Sequence, residues 1–162
     1  MCVCVCVWVA FVLQTEMDTQ EANSRALHVT PHKCNAAQSN GFVPYCDGGG
    51  ESQSSQSNPG YGPGASTIDT NSPFNVTQKF VESGGQLSSI LTTFSQDGRS
   101  FNMQHTDGSY LNAMSHAMSD MSLVFSLWGS TAQTMAWLDQ PPCGSESCDT
   151  NSIAVWSDVA LY

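Results

Sequence analysis

Basic residues are what this chain has least of. Four lysines and arginines stand against 14 acidic residues in a chain of 162, a formal net charge of −10. A surface of that sign repels phosphates, which argues against nucleic acid and anionic membranes as partners. Charged residues of both signs make up only 11% of the chain. Ser, Thr, Asn, Gln and Gly take their place, and such a surface suits a neutral ligand that presents hydroxyls. Long apolar runs are also missing. Cys2 to Leu13 is apolar, but at 12 residues it falls short of the roughly 20 needed to cross a bilayer. Its length suits a signal-peptide core, yet no basic segment precedes it, and Leu13-Gln14-Thr15 is a poor small-residue cleavage site. No CxxC occurs, so zinc or thioredoxin chemistry has little support. There is no internal repeat, no coiled-coil heptad and no Ser/Thr/Pro linker. No cofactor is called for.

What the chain does have is a tight group of carboxylates. Glu16, Asp18 and Glu21 lie within six residues, in the stretch TEMDTQEANS. Hydrolysis of a glycosidic bond needs one ionised carboxylate to attack or stabilise the anomeric carbon. A second carboxyl must hold a proton for the leaving oxygen. A third acid beside them can separate their pKa values, because like charges favour keeping one group protonated. On a strand, Glu16 and Asp18 share a face. Alternation sends Glu21 to the opposite face, so the strand must bend or bulge if all three serve one site. In a chain this acidic the spacing alone arises by chance with a probability on the order of one in ten, and the competing reading is a solvated acidic turn.

The surrounding blocks decide between them. EMDTQEANS followed by TPHKC (Thr30 to Cys34) resembles the catalytic strand of family 7 glycoside hydrolases, whose pattern is close to EMDIWEANS and then TPHPC. YGPG (Tyr61 to Gly64), TQKFVESGG (Thr77 to Gly85) and MSLVFSLWGSTAQTMAWLD (Met121 to Asp139) resemble later blocks of that family, in the same order. The resemblance covers about residues 15 to 162. It implies an all-β fold, part of a concanavalin-like jelly-roll sandwich of two antiparallel sheets with one short helix. It implies retaining hydrolysis of β-1,4-glucan through a covalent glycosyl-enzyme, with carboxyls about 5–5.5 Å apart. Glu16 takes the place of the nucleophile, Glu21 of the acid/base, and Asp18 of the carboxylate that tunes the nucleophile. His32 matches a histidine beside the site; a lone histidine is more often structural, and only its place in TPHKC raises the functional reading. Trp128 and Trp137 match tryptophans that stack on glucose rings, where the plainer reading is core packing. Cys34 and Cys46 match a family disulfide. The implied partner is cellulose, the implied location extracellular, and the implied state a monomer.

Departures from the pattern matter too. Thr19-Gln20 replaces Ile-Trp inside the catalytic motif, and Gly129 stands where the family often has Asp. Gly41 and Thr92 fall near positions where the cellobiohydrolase branch uses product-side arginines; Arg25 and Arg99 are the only arginines. With short loops at Cys34–Cys46 and Asp107–Asn112, this favours an open-cleft endoglucanase over a tunnel-forming cellobiohydrolase. One of Cys143 and Cys148 matches a cysteine whose family partner lies further upstream; it pairs with its neighbour or stays free. Asn75-Val76-Thr77 is a glycosylation sequon, in keeping with secretion.

Residues 1–14 read differently from the rest. Alternating Cys and Val over Met1 to Val9 is what a (GT)n repeat encodes, and the expectation is a translated microsatellite joined to family sequence near Gln14. A buried or edge strand is the structural alternative. Residues 15–162 are then the C-terminal portion of a family 7 catalytic domain. Further along, strands are expected over Phe74 to Val81, Leu87 to Ser95 and Arg99 to Met103, with a hairpin turn at Asp97-Gly98. A short helix is expected over Tyr110 to Ser119 with His116 on the surface, a hairpin over Met121 to Trp128 and Thr134 to Leu138, and a last strand over Ile153 to Leu161. Asn35 to Gly64 reads as loop.

The leading reading is thus a β-1,4-glucan hydrolase, present as an incomplete piece. The alternatives are a glucan-binding protein or inactive relic without turnover, and a β-sandwich with no sugar site. Sequencing the transcript through codons 1 to 20 checks the boundary at Gln14. The microsatellite reading expects other exons to join there; a continuous message encoding the Cys-Val segment in frame would refute it.

Overall fold

The computed structural model describes residues 4–10, 15–36, 38–40, 42–55, 60–118, 121–128, 136–139 and 153–160. Its strands form two antiparallel sheets, as the sequence led us to expect. The first has five strands in the order β10-β1-β2-β3-β4. These are β1 (Cys4–Ala10), β2 (Glu16–Ala22), β3 (Leu27–His32), β4 (Gln53–Ser54) and β10 (Ser122–Trp128). The second is a meander of β7 (Asn75–Ser83), β8 (Gln86–Gln96) and β9 (Arg99–His105). A two-residue parallel bridge joins β5 (Tyr61–Gly62) to β6 (Ile68–Asp69).

The β2–β3 hairpin is closed by a side chain. Asn23 Oδ1 accepts the backbone N–H groups of Arg25 and Ala26, at 2.8 and 2.9 Å, an Asx turn that reverses the chain without glycine. On β3 the alternation is clean. Leu27 and Val29 are fully buried in the core, while His28, Thr30 and His32 face the other side of the sheet and line a cavity. On β2, Met17 and Ala22 go to the core, and the acids take the opposite face.

The meander supplies the other half of the core. Ile90 and Phe94 on β8 are fully buried, and Phe94 stacks on Phe101 with ring centroids 5.0 Å apart. Its two turns carry the residues their geometry demands. Gly84 and Gly85 have φ of 64° and 79°, and Asp97 and Gly98 have 50° and 77°, the left-handed pairs of tight hairpins that match strand twist. Gln96, buried at the end of β8, donates to the carbonyls of Asp69, Ser72 and Pro73 and accepts from Asp69 N–H. One amide thereby pins the β6–β7 connection. Gln53 on β4 ties the two sheets together: its Oε1 accepts from Gln104 N–H at 2.9 Å, and its Nε2 donates to the Gln104 carbonyl.

Helix α1 (Gly108–Met114) starts two residues before the expected Tyr110, because the Asp107 carboxylate caps the N–H groups of Ser109 and Tyr110. It ends in a 3-10 turn at Ser115–Ala117. Leu111 and Met114 are buried, Met118 packs beside them, and His116 is exposed, as expected.

Three expectations need correction. The stretch read as loop from Asn35 to Gly64 contains β4, β5 and a bridge between Cys34 and Cys46, because edge pairing needs only two residues and leaves no periodic signature. The expected strand over Thr134 to Leu138 is instead a single helical turn, α2 (Ala136–Asp139), where it is described. Leu138 there is fully buried while Trp137 is 42% exposed. Ile153–Ala160 forms no strand; Ile153 and Val155 are both 84% exposed, and the segment meets edge strand β10 through a ring contact of Trp156 with Phe125, centroids 4.7 Å apart, rather than by strand pairing. Within the Cys-Val segment, Cys4–Ala10 forms β1, which lies between β2 and β10. Cys143 and Cys148 lie outside the described residues.

Phe94→Ala should lower unfolding free energy by about 3–5 kcal/mol in urea melts, because it empties a fully buried position of the core. Val155→Ala should change it by less than about 0.5 kcal/mol.

Candidate active site

The site is assembled by one irregularity in β2. Glu16 pairs with His32 and Asp18 with Thr30, but the next pairs are Glu21 with His28 and Ala22 with Leu27. Thr19 and Gln20 together face the single residue Val29. The register with β1 shifts at the same place, between Asp18 opposite Trp8 and Gln20 opposite Val7. This is the bulge that the spacing of the acids required. One extra residue returns Glu21 to the face of Glu16 and Asp18, and leaves Met17 and Ala22 in the core.

All three carboxyls line a cavity of about 590 Å³, together with His28, Thr30, His32, Ser52 and Trp137. His32 is held at both ring nitrogens. Nε2 lies 2.9 Å from Asp18 Oδ2, and Nδ1 lies 2.9 Å from the Asp47 carbonyl oxygen. Both partners are acceptors, so the ring is a double donor. Burial alone would lower its pKa, but the hydrogen bonds to Asp18 and Asp47 and the charges of Asp18 and Glu16 outweigh that and raise it to about 9. His32 is therefore an imidazolium at neutral pH, paired with Asp18.

Glu16 and Glu21 are pushed the other way. Each is raised to about 7, first by burial and then by the charge of Asp18; His32 offsets part of this in both. Glu16 is further raised by a hydrogen bond with the Asp18 carboxyl, in which the protonated Glu16 is the donor. Glu21 is raised slightly by Glu16, and its Oε2 lies 3.4 Å from Thr30 Oγ1. The site thus holds a fixed ion pair flanked by two carboxyls that titrate near neutrality.

The loop after Cys46 braces this arrangement. Asp47 Oδ1 accepts the N–H groups of Gly49 and Gly50, each at 3.2 Å, and Oδ2 accepts the Tyr110 hydroxyl at 3.0 Å. These bonds, led by Tyr110, hold the Asp47 carboxyl below its ordinary range, and burial with the Asp47 contact pushes Tyr110 up to about 12. Gly50 has φ +64°, and a Cβ there would collide with Thr30 Cγ2, lie 2.7 Å from the Pro31 carbonyl oxygen and 2.8 Å from His32 Cε1. No larger residue fits without moving His32. Cys34 and Cys46 are disulfide-bonded, as expected, and close the loop at the rim of the cavity.

Of the residues singled out in the sequence, Glu16, Asp18, Glu21, His32 and Trp137 come together in this cavity. For Trp128 only the backbone is described, pairing with Cys4 at the end of β10. The sequence reading missed His28, Thr30, Asp47 and Ser52. The period-2 pattern in His28-Val29-Thr30-Pro31-His32 could have exposed the first two, since three polar side chains share the face of a placed His32. Asp47 and Ser52 carried no local signal. Among the described residues, no helix is long and apolar enough to cross a membrane.

The sign of the pH effect on stability follows from these shifts. A carboxyl whose folded pKa is raised from 4.5 to about 7 leaves the fold increasingly destabilised as pH rises between those values. His32, raised from 6.5 to about 9, contributes stability that is complete below 6.5 and lost as pH rises through 9. Stability should therefore decline from pH 5 to pH 9. Discounted for solvent screening, Glu21→Gln should gain on the order of 1–2 kcal/mol at pH 8 and nothing at pH 4.5. Thermal melts at the two pH values check this.

The chain is similar to known proteins over most of its length. The chain is 33% identical to endoglucanase EG-1 of Hypocrea jecorina over 162 positions, an alignment that covers 85% of this chain and 33% of the endoglucanase. It superimposes on the Humicola insolens endocellulase EGI with a TM-score of 0.66 at 25% identity, covering 84% of this chain and 44% of that one. An endoglucanase I complexed with cellobiose matches with a TM-score of 0.66 at 27% identity, covering 85% and 44%. The chain spans about a third of the length of the curated endoglucanase. The model of glycosyl hydrolase family 7 matches residues 13–116, the bulged strand and the braced histidine included, and the chain belongs to that family.

Proposed function

We propose that this site cleaves internal β-1,4-glucosidic bonds of cellulose or a related β-glucan, with retention of configuration. The observation that carries the reading is the bulge: it brings two carboxyls that titrate near neutrality to one cavity face, with an ion-paired Asp18 between them. The related proteins named as endoglucanases, and the cellobiose in one of them, support the substrate class. The absence of arginine near the product-side positions supports endo action.

The chemistry follows from the charges. Glu16, once ionised, attacks the anomeric carbon as the leaving oxygen takes the proton of Glu21, giving a covalent glycosyl-enzyme. Glu21, now a carboxylate, takes a proton from the water that attacks the anomeric carbon, and Glu16 departs with its original charge. In the resting site a protonated Glu16 donates a hydrogen bond to the Asp18 carboxylate that His32 fixes, and that proton leaves to solvent before Glu16 attacks. Repulsion between Glu16 and Glu21 favours one proton on the pair near pH 7, and the productive microstate has it on Glu21. Trp137, partly exposed at the rim, offers a flat face for a glucose ring. We further propose an extracellular location and a monomeric state, as its family resemblance implies.

A second reading is binding without turnover. Thr19-Gln20 forms the bulge in place of the family's Ile-Trp and leaves less apolar packing to set Glu21; a displacement of about 1 Å costs on the order of a hundredfold in rate.

Hydrolysis of carboxymethylcellulose and cellohexaose separates the two. The first reading expects turnover with a bell-shaped pH dependence centred near neutrality, and a loss of at least about a thousandfold in Glu16→Gln. Quenching of tryptophan fluorescence by cellohexaose without any product would support the second.

A further inference from the structure

The cavity holds a histidine that the proposed chemistry does not use. His28 sits on β3 directly opposite Glu21 in the strand register. Its Nδ1 is 2.7 Å from Ser52 Oγ. Ser52 Oγ is 3.2 Å from Thr30 Oγ1, and Thr30 Oγ1 is 3.4 Å from Glu21 Oε2. Four side chains from β2, β3 and the loop before β4 thus form a chain of hydrogen bonds that ends on the acid.

A chain through hydroxyls has a direction. Each hydroxyl has one proton and gives it to one acceptor. If His28 Nδ1 is bare, Ser52 donates to it, Ser52 Oγ is free to accept from Thr30, and Glu21 receives no proton from Thr30. If His28 Nδ1 carries a proton, the order reverses: His28 donates to Ser52, Ser52 to Thr30, and Thr30 to Glu21. The first state withholds a donor that would stabilise the Glu21 carboxylate; the second supplies it. The distances favour the first, since Thr30 lies closer to Ser52 than to Glu21. Burial also lowers the His28 pKa and keeps the ring neutral. Among the described residues, Nε2 has no hydrogen-bond partner. The ring stands at 84° to the Trp137 indole with centroids 5.3 Å apart, an edge-to-face geometry in which a ring N–H can meet a π face.

We propose that His28 is a positioning residue for the acid/base step: through Ser52 and Thr30 it turns the Thr30 hydroxyl away from Glu21, and so keeps Glu21 a proton donor. This rests on Glu21 being the acid, as proposed above. Ring protonation reverses the chain and couples the two groups. The other titratable groups facing Glu21 are Asp18 and Glu16 on β2 and His32 on β3; beside Ser52, the Glu51 carboxyl interacts with Asp107 and Lys33 instead.

The test follows the Glu21 carboxyl by carbon NMR in the intact chain, its signal assigned by loss in Glu21→Gln. The parent's midpoint, raised above the ordinary carboxyl range by burial and by Asp18, is the reference. Ser52→Ala and His28→Ala should each lower that midpoint by about half a pH unit or more, because Thr30 is then released to donate to Glu21. Adding Thr30→Val to either should abolish the fall. A midpoint unmoved or raised in both single variants overturns the proposal; a simple loss of polarity would raise it. A second reading needs no variant. Nitrogen spectra of the parent's imidazoles at pH 7 should show His28 protonated at Nε2 alone, and a proton on Nδ1 overturns the proposal. Neither measurement reads hydrolysis. An inert chain with the shifted midpoints would overturn the glucanase reading alone, and an active chain with unmoved midpoints this one alone.

Discussion

One extra residue in β2 governs this molecule. Thr19 and Gln20 face Val29 together, and everything at the site depends on that mismatch. Without it, period-2 alternation would send Glu21 into the core beside Met17, where an ionised carboxyl would be strongly destabilising. With it, three acids crowd one cavity face, and the apolar set of the strand stays on the other. The bulge converts a five-residue spacing, odd and therefore wrong for a strand, into a cluster.

Crowding acids has an electrostatic cost, and the neighbouring elements offset it. His32 lies opposite Glu16 in the register and reaches Asp18. Its second nitrogen is anchored on the Asp47 carbonyl. Asp47 is in turn fixed by Tyr110 from α1 and by two glycine amides in its own loop. One cation held at both ends neutralises one of three carboxyls. The other two are left short of a partner and titrate near 7, a range where donating and losing a proton are both inexpensive. The crowded carboxyls reduce fold stability, and stability is expected to decline with rising pH for that reason.

The elements around the site differ in how firmly they are joined. The β2–β3 hairpin and the β7–β8–β9 meander share one core, and Gln53 on β4 stitches the two sheets together. Beyond them, Leu123 on β10 is exposed, as are Ile153, Val155 and Val159. The two endoglucanase structures, nearly twice the length of this chain, superimpose on it over most of its residues.

Much of the site was legible in the chain itself. The order of EMDTQEANS and TPHKC, the acids within six residues, and the rule that strands alternate were enough to name Glu16, Asp18, Glu21 and His32 and to require a bulge between them. The Asp97-Gly98 turn and the apolar side of α1 were equally plain, because such signals are local and backbone conformation answers to them directly. Two-residue strands such as β4 and the helical turn at Ala136–Asp139 were not, since a short edge pairing or a single turn leaves no period to read. Asp47, Ser52 and Gly50 lie 15 or more residues from the acids and carried no mark of their role. Only the tertiary structure brings the Cys46 loop against β3, and it does so through backbone carbonyls and amides, which every residue possesses. Residue identity determined which chemistry was available, and the packing of one loop on one strand decided which protons it can move.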